Sequence, residues 1–218
     1  MPESGAEQIV PVETPEQKVS RLEAKVAELE TRLKIAEANA ATDTLTGLPN
    51  RRVLEMELEK KLALVRREGG RAAIAMFDLD NFKAVNDKYG HQQGDETLKG
   101  FAQRALDHTR GTDSLGRWGG EEFLAVFSVP EEMSLEMVES HILGRYHEML
   151  KDLNRTGNEN EFIQQTVSVG CVVVDQEDTS SIGDVIVAAD IELYHSKTSG
   201  KNQSTIARLK DAVVPQVS

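Results

Sequence analysis

Two consecutive glycines, Gly119 and Gly120, lie between two short apolar segments of the chain. Glycine adopts backbone conformations that other residues avoid, so the pair predicts a tight turn and therefore a β-hairpin. Glu121 and Glu122 follow directly, which places two carboxylates where the second strand begins. The pattern fits an ordinary hairpin turn, and it also fits a site where paired acids hold a divalent metal beside a nucleotide phosphate.

A seven-residue repeat of apolar side chains occupies the N-terminal part of the chain. The repeat positions alternate in steps of three and four and are Val19, Leu22, Val26, Leu29, Leu33, Ala36 and Ala40. Charged residues fill the positions between them, so residues 17–42 are predicted to form one helix of a parallel coiled-coil dimer. The alternative is an amphipathic helix that packs on its own domain. Residues 1–16 contain three prolines among polar residues and are predicted to be disordered.

The remainder of the chain alternates between helical and strand patterns. Helices are predicted over residues 51–67, 81–89, 95–107, 134–153 and 182–197, and strands over 72–77, 114–118, 123–129, 162–174 and 204–207. This order predicts an α/β fold in which helices flank a mixed, largely antiparallel central sheet. We assign residues 43–210 to this domain and residues 211–218 to a flexible tail.

Composition and charge exclude several classes of protein. The formal net charge of −12 argues against general nucleic-acid binding, which needs a basic surface. We find no secretory signal and no apolar run long enough to cross a bilayer, so we predict no membrane segment and a cytoplasmic location. The lone cysteine, Cys171, fits a reducing compartment and is expected to be a small buried residue.

Two aspartates, Asp78 and Asp80, follow the apolar segment that should form the central strand. Carboxylates at a strand end and at the turn of a neighbouring hairpin are typical of two-metal phosphoryl-transfer sites. We expect Asp78 to join the turn glutamates, and Asp80 to cap the helix that follows rather than to bind metal. Taken singly, Lys83, Lys197 and Lys201 are ordinary surface lysines, the last two being four residues apart at the predicted end of the final helix.

Six motifs occur in an order and spacing that resemble the GGDEF family of diguanylate cyclases. They are DTLTGLPNR at 43–51, FDLDNFKAVND at 77–87, GHQQGD at 90–95, RWGGEEF at 117–123, TVSVG at 166–170 and ADIELY at 189–194. The resemblance covers residues 41–207 and implies a fold similar to nucleotidyl cyclases and polymerase palms. It also implies that two GTP molecules are condensed into cyclic di-GMP, with release of pyrophosphate, by a homodimer.

The resemblance implies a role for each residue that matches a motif. The metal, Mg²⁺ or Mn²⁺, would be held by Asp78, the Leu79 carbonyl, Glu121 and Glu122, and Glu121 would help to activate the attacking 3′-hydroxyl. The substrate-binding positions are Lys83, Lys197 and Lys201 for phosphates, Gly119 and Gly120 for close backbone approach, and Asn86 and Asp95 for guanine. His91 is also among the substrate-binding positions. The resemblance also places Lys83 among the catalytic residues. Because a carboxylate can accept from both N1–H and the 2-amino group of guanine, Asp95 favours GTP over ATP; by itself it would also suit a helix cap.

An RxxD motif, Arg110 with Asp113, precedes the glycine pair. At this offset it resembles the inhibitory site of the family, at which cyclic di-GMP binds and reduces activity. The alternative is a salt bridge within a turn. Arg145 is a weak candidate for the second arginine that such sites often use.

The chain departs from the family pattern at three positions. Glu192 and Ser196 stand where small residues are usual, and Lys201 stands where arginine is usual, so the bidentate grip on a phosphate is lost there. Two alternatives to an active, product-inhibited enzyme remain, a catalytically silent receptor for cyclic di-GMP and a coiled-coil interaction module. The expected partners are GTP, cyclic di-GMP, a second copy of the chain, and an upstream sensory domain or partner protein.

Overall fold

The computed structural model describes residues 14–39, 41–146 and 165–212. They belong to two compact units, one ending at Ala40 and one beginning at Ala41. Several predictions lie outside the described residues: most of the N-terminal segment, the last heptad position, the end of helix 134–153, the start of strand 162–174 and most of the tail. None of the helices within these described ranges is long and apolar enough to cross a membrane.

The described part of the first unit is the helix α1 (Pro15–Asn39). At its start Thr14 and Gln17 exchange hydrogen bonds between side chain and backbone amide, in the manner of a capping box. The helix therefore begins inside the segment predicted to be disordered. Five heptad side chains are 51–59% exposed on it: Val19, Leu22, Val26, Leu29 and Leu33. Pairing of this apolar stripe in a coiled coil stays a prediction.

The second unit is built on a mixed sheet. Its strands are β1 (Arg71–Leu79), β2 (Ser114–Gly119), β3 (Glu122–Val129), β4 (Val167–Asp175) and β5 (Ser204–Arg208). Within the described residues the strand order is β2-β3-β1-β4-β5. The pair β4–β5 is parallel and the other three pairs are antiparallel. The predicted fold, with a mixed and largely antiparallel sheet flanked by helices, is confirmed.

Helices cover both faces of this sheet. They are α2 (Arg51–Glu68), α3 (Phe82–Tyr89), α4 (His91–Asp107), α5 (Leu135–Val138) and α6 (Ile182–Thr198), with a π-helical turn at Glu139–Leu143 and a 3-10 turn at Leu209–Asp211. Side chains alternate along β1, so Phe77 lies in a core shared with α4, whereas Ile74 lies in a core shared with α2 and α6. Burial on both faces explains why the sequence of β1 is an almost continuous apolar run.

Three element boundaries near the sheet end differ from the prediction. Strand β1 continues beyond residue 77 and includes Asp78. Helix α4 begins at His91 rather than at residue 95, because Gly90, with φ of 85°, ends α3 and redirects the chain at once. Helix α6 ends at Thr198, and Lys201 follows it in left-handed backbone with φ of 63° instead of lying in its last turn.

Helix α6 packs closely on β4 because residue 170 is glycine. A Cβ atom on Gly170 would lie 2.0 Å from the Leu193 nitrogen and 2.2 Å from the Ala189 oxygen. A side chain therefore cannot fit between helix and strand. The close packing carries the last turn of α6 over the end of the sheet, where Lys197 reaches Asp78.

Candidate functional site

The glycine turn lies beside the end of the central strand. Gly120 has φ of 48°, which suits glycine, and the β2–β3 ladder is irregular between Arg117 and Gly119. Antiparallel pairing of β1 with β3 sets Asp78 opposite Glu122. Residues that are directly opposite in a sheet share one face, with Cβ atoms about 5 Å apart. The structure therefore brings the strand-end aspartate together with the turn glutamates.

The carboxylates of this cluster affect one another's protonation. Asp78 is only 5% exposed and pairs with the Lys197 ammonium at 2.8 Å. Burial raises the pKa of Asp78, although Lys197 opposes the shift. Burial, together with the charge of Asp78, also raises the pKa of Glu121 and of Glu122. Negative charge thus accumulates at the sheet end, and an added cation would relieve it.

This donor set suits a hard divalent cation. Mg²⁺ prefers carboxylate oxygens, uses few protein ligands and takes the others from water and substrate phosphates. Within the described residues no three acidic, histidine or cysteine side chains already converge as a complete metal site. The strand register nevertheless sets Asp78 opposite Glu122, and, after burial, the charge of Asp78 contributes to the raised pKa of Glu121 and of Glu122. These residues therefore fit a cation whose coordination is completed by a nucleotide.

Two of the predicted phosphate lysines lie at the start of α3. Lys83, in the first turn of that helix, is exposed and pairs with Asp87 at 3.0 Å. Lys201 comes from the loop after α6 and donates to Asn81 Oδ1 at 2.6 Å. Because Asn81 immediately precedes α3, the structure brings Lys83 and Lys201 to the same end of one helix.

The prediction that Asp80 caps α3 is wrong. Its carboxylate accepts hydrogen bonds from Thr166 Oγ1 at 2.7 Å, Ser168 Oγ at 2.6 Å and the Asn202 amide at 2.9 Å. The residue before α3 is Asn81, in left-handed conformation and with no capping bond from its side chain. Asp80 faces β4 because β1 pairs with β4 to its last residue, and the next amide still bonds the Thr166 oxygen.

The predicted guanine-binding residues lie on two helices that pack against each other, α3 and α4. Asn86 is half-buried on α3, and Asp95 is exposed within α4. The two helices approach each other closely at Gly94, where a Cβ would lie 1.9 Å from Asn86 Oδ1. Asp95 does not cap a helix, since α4 begins four residues earlier, at His91. Its side chain is exposed, and the preceding residue, Gly94, lies against Asn86.

The RxxD motif lies at the opposite end of β2 from the glycine turn, about 17 Å away by strand length. The Asp113 carboxylate accepts from the backbone amides of Ser128, at 3.2 Å, and Arg110, at 3.4 Å. Among the described residues no ion pair forms between Arg110 and Asp113, so the turn is closed by amides rather than by the salt bridge of the alternative interpretation. Arg145 donates to the His108 oxygen at 3.2 Å, which places its guanidinium near the start of this turn.

One interaction at the glycine turn has no counterpart in the sequence predictions. Arg117 donates to both carboxylate oxygens of Asp43, at 3.1 and 3.2 Å, and twice to the Gly120 oxygen, at 3.0 and 2.6 Å. Although burial opposes it, bonds from Thr46 and Arg117 hold the pKa of Asp43 below its usual value. The arginine thus ties the first residues of the domain to the turn. Both residues belong to recognised motifs, but nothing in the sequence pairs them across 74 positions.

The departures at Glu192 and Ser196 lie on the buried side of α6. Ser196 is fully buried and donates to the Val169 oxygen at 2.6 Å, so its hydroxyl is satisfied. Glu192 is 7% exposed and lies 3.6 Å from the His195 imidazole. Both side chains are buried, and that of Ser196 is bonded to the backbone of β4.

Comparison with known sequences identifies one family over most of the chain. The family described as "Diguanylate cyclase, GGDEF domain" matches residues 40–203. Diguanylate cyclase DgcP of Escherichia coli is 37% identical over 174 residues, which are 75% of this chain and 48% of that protein. The bifunctional diguanylate cyclase/cyclic di-GMP phosphodiesterase MucR of Pseudomonas aeruginosa is 32% identical over 187 residues, 84% of this chain and 26% of MucR. The chain thus spans about half the length, or less, of such curated relatives.

Solved structures give the same result. The coiled coil and GGDEF domain of DgcB from Caulobacter crescentus, in complex with c-di-GMP, superposes with a TM-score of 0.67 at 28% identity, covering 88% of this chain and 98% of that one. Diguanylate cyclase SiaD of Pseudomonas aeruginosa, in complex with its activator SiaC, superposes with a TM-score of 0.69 at 32% identity, covering 88% of this chain and 71% of SiaD.

Replacing Arg117 should destabilise the domain. Arg117→Ala leaves the partly buried Asp43 carboxylate without its cation and the turn without its brace, which should cost about 2–3 kcal/mol. A domain of this size should then melt about 5–10 °C lower in a calorimetric scan. Arg117→Lys keeps the charge but loses the planar guanidinium, so its melting temperature should lie between those of Arg117→Ala and the unaltered protein. Arg67→Ala, at an exposed ion pair, should change the melting temperature little. Equal melting temperatures for Arg117→Ala and Arg67→Ala would contradict this role.

Proposed function

Because this chain belongs to the GGDEF family of diguanylate cyclases, we propose that it condenses two molecules of GTP into cyclic di-GMP and releases two pyrophosphates. The observation that carries the proposal is the cluster of Asp78, Glu121 and Glu122, with Lys197, at the end of the sheet. Family members that have lost activity usually lack such acids, whereas all of them are present here. A silent receptor is therefore the less favoured function.

The carboxylate cluster would hold Mg²⁺ or Mn²⁺ through Asp78, the Leu79 carbonyl, Glu121 and Glu122. Such a cation, when bound, lowers the pKa of the attacking 3′-hydroxyl and neutralises charge on the phosphates. Glu121, whose raised pKa gives it a greater affinity for protons than an ordinary glutamate, is suited to accept the proton of that hydroxyl.

The surrounding residues would bind and orient the nucleotide. Lys197, already beside Asp78, and the pair Lys83 and Lys201 at the start of α3 would contact the β- and γ-phosphates, where charge develops on the leaving group. Gly119 and Gly120, neither of which has a neighbour within 4 Å of a Cβ position, leave space for close approach. Asn86 and Asp95, with His91 in the same helix turn, would contact the nucleoside.

Catalysis would need two chains. Each domain offers one such site, and each 3′-hydroxyl must attack the α-phosphate of the other GTP, so two domains must face each other. The exposed heptad stripe of α1 fits a parallel homodimer that holds two domains at high effective concentration. The complex of SiaD with an activator supports the further proposal that a partner protein or a sensory domain controls this arrangement. GTP as substrate and a lone buried cysteine favour a cytoplasmic location.

Purified protein with GTP and Mg²⁺ should yield cyclic di-GMP and pyrophosphate, measured by chromatography and a coupled phosphate assay. Glu122→Gln should reduce turnover about 100-fold or more, because it removes one charge from the metal cluster. Glu131→Gln, an exposed acid outside the site, is the control and should keep full activity. Absence of both products from the unaltered protein would refute the enzyme, and full activity of Glu122→Gln would refute the metal role.

The RxxD turn would bind the product and reduce activity. Its guanidinium is exposed and its loop is held by Asp113, so an anion with guanine edges could be clamped there. Arg110→Ala should raise the concentration of cyclic di-GMP needed for half-inhibition about tenfold or more, with initial rates unchanged. Arg67→Ala is the control, and cyclic di-GMP should inhibit it at the same concentration as the unaltered protein. If cyclic di-GMP inhibits Arg110→Ala as strongly as it inhibits the unaltered protein, the inhibitory site is not the RxxD turn.

Charges introduced into the heptad stripe should separate the dimer. Leu22→Lys with Leu29→Lys places ammonium groups at seam positions, so light scattering should report monomers and turnover per chain at micromolar concentration should fall about tenfold or more. Glu23→Gln with Glu30→Gln, on the same helix, is the control. If the lysine variant has the mass and turnover of the control, the coiled coil is not what joins the domains.

A further inference from the structure

Asp80 is a buried carboxylate that the proposed metal chemistry does not use. It is 5% exposed, and both of its oxygens accept hydrogen bonds from groups at the β4 side of the strand. Oδ1 accepts from Ser168 Oγ, while Oδ2 accepts from Thr166 Oγ1 and from the Asn202 amide. A buried charge with three well-aligned donors is held firmly, because releasing any donor leaves charge unpaired.

The third donor joins Asp80 to the loop that carries Lys201. Lys201 and Asn202 are both left-handed, with φ of 63° and 50°. Asparagine tolerates this conformation, but a lysine there costs about 1 kcal/mol or more. Such a turn persists only where surrounding contacts impose it. Two contacts do so here, the bond from the Lys201 amide to the Ser196 oxygen and the bond from the Asn202 amide to Asp80.

The turn held in this way directs Lys201 to the start of α3. The ammonium donates to Asn81 Oδ1 at 2.6 Å, and Asn81 is the residue that follows Asp80 in the chain. A single aspartate therefore fixes both sides of this contact, the lysine through the Asn202 amide and the asparagine through the backbone. Because a lysine ammonium is a point charge on a flexible stem, the fixed backbone and the Asn81 contact restrict where that charge lies.

We propose that Asp80 is a positioning residue of the phosphate site, which holds the left-handed turn so that the Lys201 ammonium stays at the first turn of α3. The inference rests on the proposed function, because it takes the β- and γ-phosphates of GTP as the groups that Lys201 meets. It also explains how lysine can serve where the family usually has arginine. In this role Asp80 acts through Lys201, and its own carboxylate oxygens are bonded to Thr166, Ser168 and Asn202.

The test compares two nucleotides that differ in the phosphates Lys201 would contact. Calorimetric titration of the full chain with Mg²⁺ would use α,β-methylene GTP, which cannot react, and GMP, which lacks the outer phosphates. Asp80→Ala should weaken binding of the methylene analogue about tenfold, as Lys201→Ala does, and leave GMP binding unchanged. The double variant should bind no more weakly than either single variant, because both remove the same contact. Asp107→Ala, an exposed aspartate of α4, is the matched control and should bind both nucleotides normally.

Two further variants separate positioning from folding. Asp80→Asn can keep its oxygen toward the Asn202 amide and donate to the Ser168 hydroxyl, so it should restore affinity to within about threefold. Asn202→Pro removes the amide and also excludes the left-handed φ at residue 202, while Asp80 keeps its β4 partners. It should reproduce the loss seen with Lys201→Ala.

The outcomes are distinct. Three results would overturn the inference while leaving the enzyme proposal intact. They are normal affinity of Asp80→Ala and Asn202→Pro for the methylene analogue, an equal loss of affinity for GMP, and additive losses of affinity in the double variant. If Asp80→Ala does not fold, Asn202→Pro decides in the same way. Failure of the unaltered protein to bind either nucleotide would instead refute the proposed function, and the positioning role with it.

Discussion

The site depends on the register between the two strands at the centre of the sheet. Pairing of β1 with β3 sets Asp78 opposite Glu122, and the turn before β3 adds Glu121. Side chains alternate between faces, so a slip of one residue would send Asp78 and Glu122 to opposite sides. The neighbouring residues Phe77 and Phe123 prevent this slip, because they lie in one core and a slip would remove one of them from it. The hydrophobic register is therefore what brings negative charges together against their repulsion.

Positive groups from distant parts of the chain balance this repulsion locally. Lys197 comes from α6, whose approach is allowed by the missing side chain of Gly170. Arg117 donates to the Gly120 carbonyl of the turn and to the Asp43 carboxylate, and so joins the two. In a chain with a net charge of −12, a polyanionic substrate cannot be attracted by the surface as a whole. A phosphate site must be assembled from a few cations placed at one end of the sheet.

The period of apolar residues predicted most of the fold, whereas an acid before a helical pattern did not locate a helix cap. Asp80 and Asp95 both have the local signature of an N-cap, yet one lies against β4 and the other lies within α4. The sequence signature is the same for both residues. It does not decide the partner, because a short acidic side chain can accept a hydrogen bond from whichever donor the fold places near it. Lys201 was misplaced for a related reason, since helical spacing continues past Thr198 although the helix does not.

The sequence by itself determined the hairpin, the buried central strand, the order of elements and the acids that end them, because these follow from local periodicity and from what glycine permits. It also determined the family, because six motifs stand in order. Only the tertiary structure decided which charges are neighbours. The pairs Arg117 with Asp43, Lys197 with Asp78 and Lys201 with Asn81 join residues 74 to 120 positions apart. Such pairs carry no local signal, since their side chains meet only after the sheet has brought distant segments of the chain together.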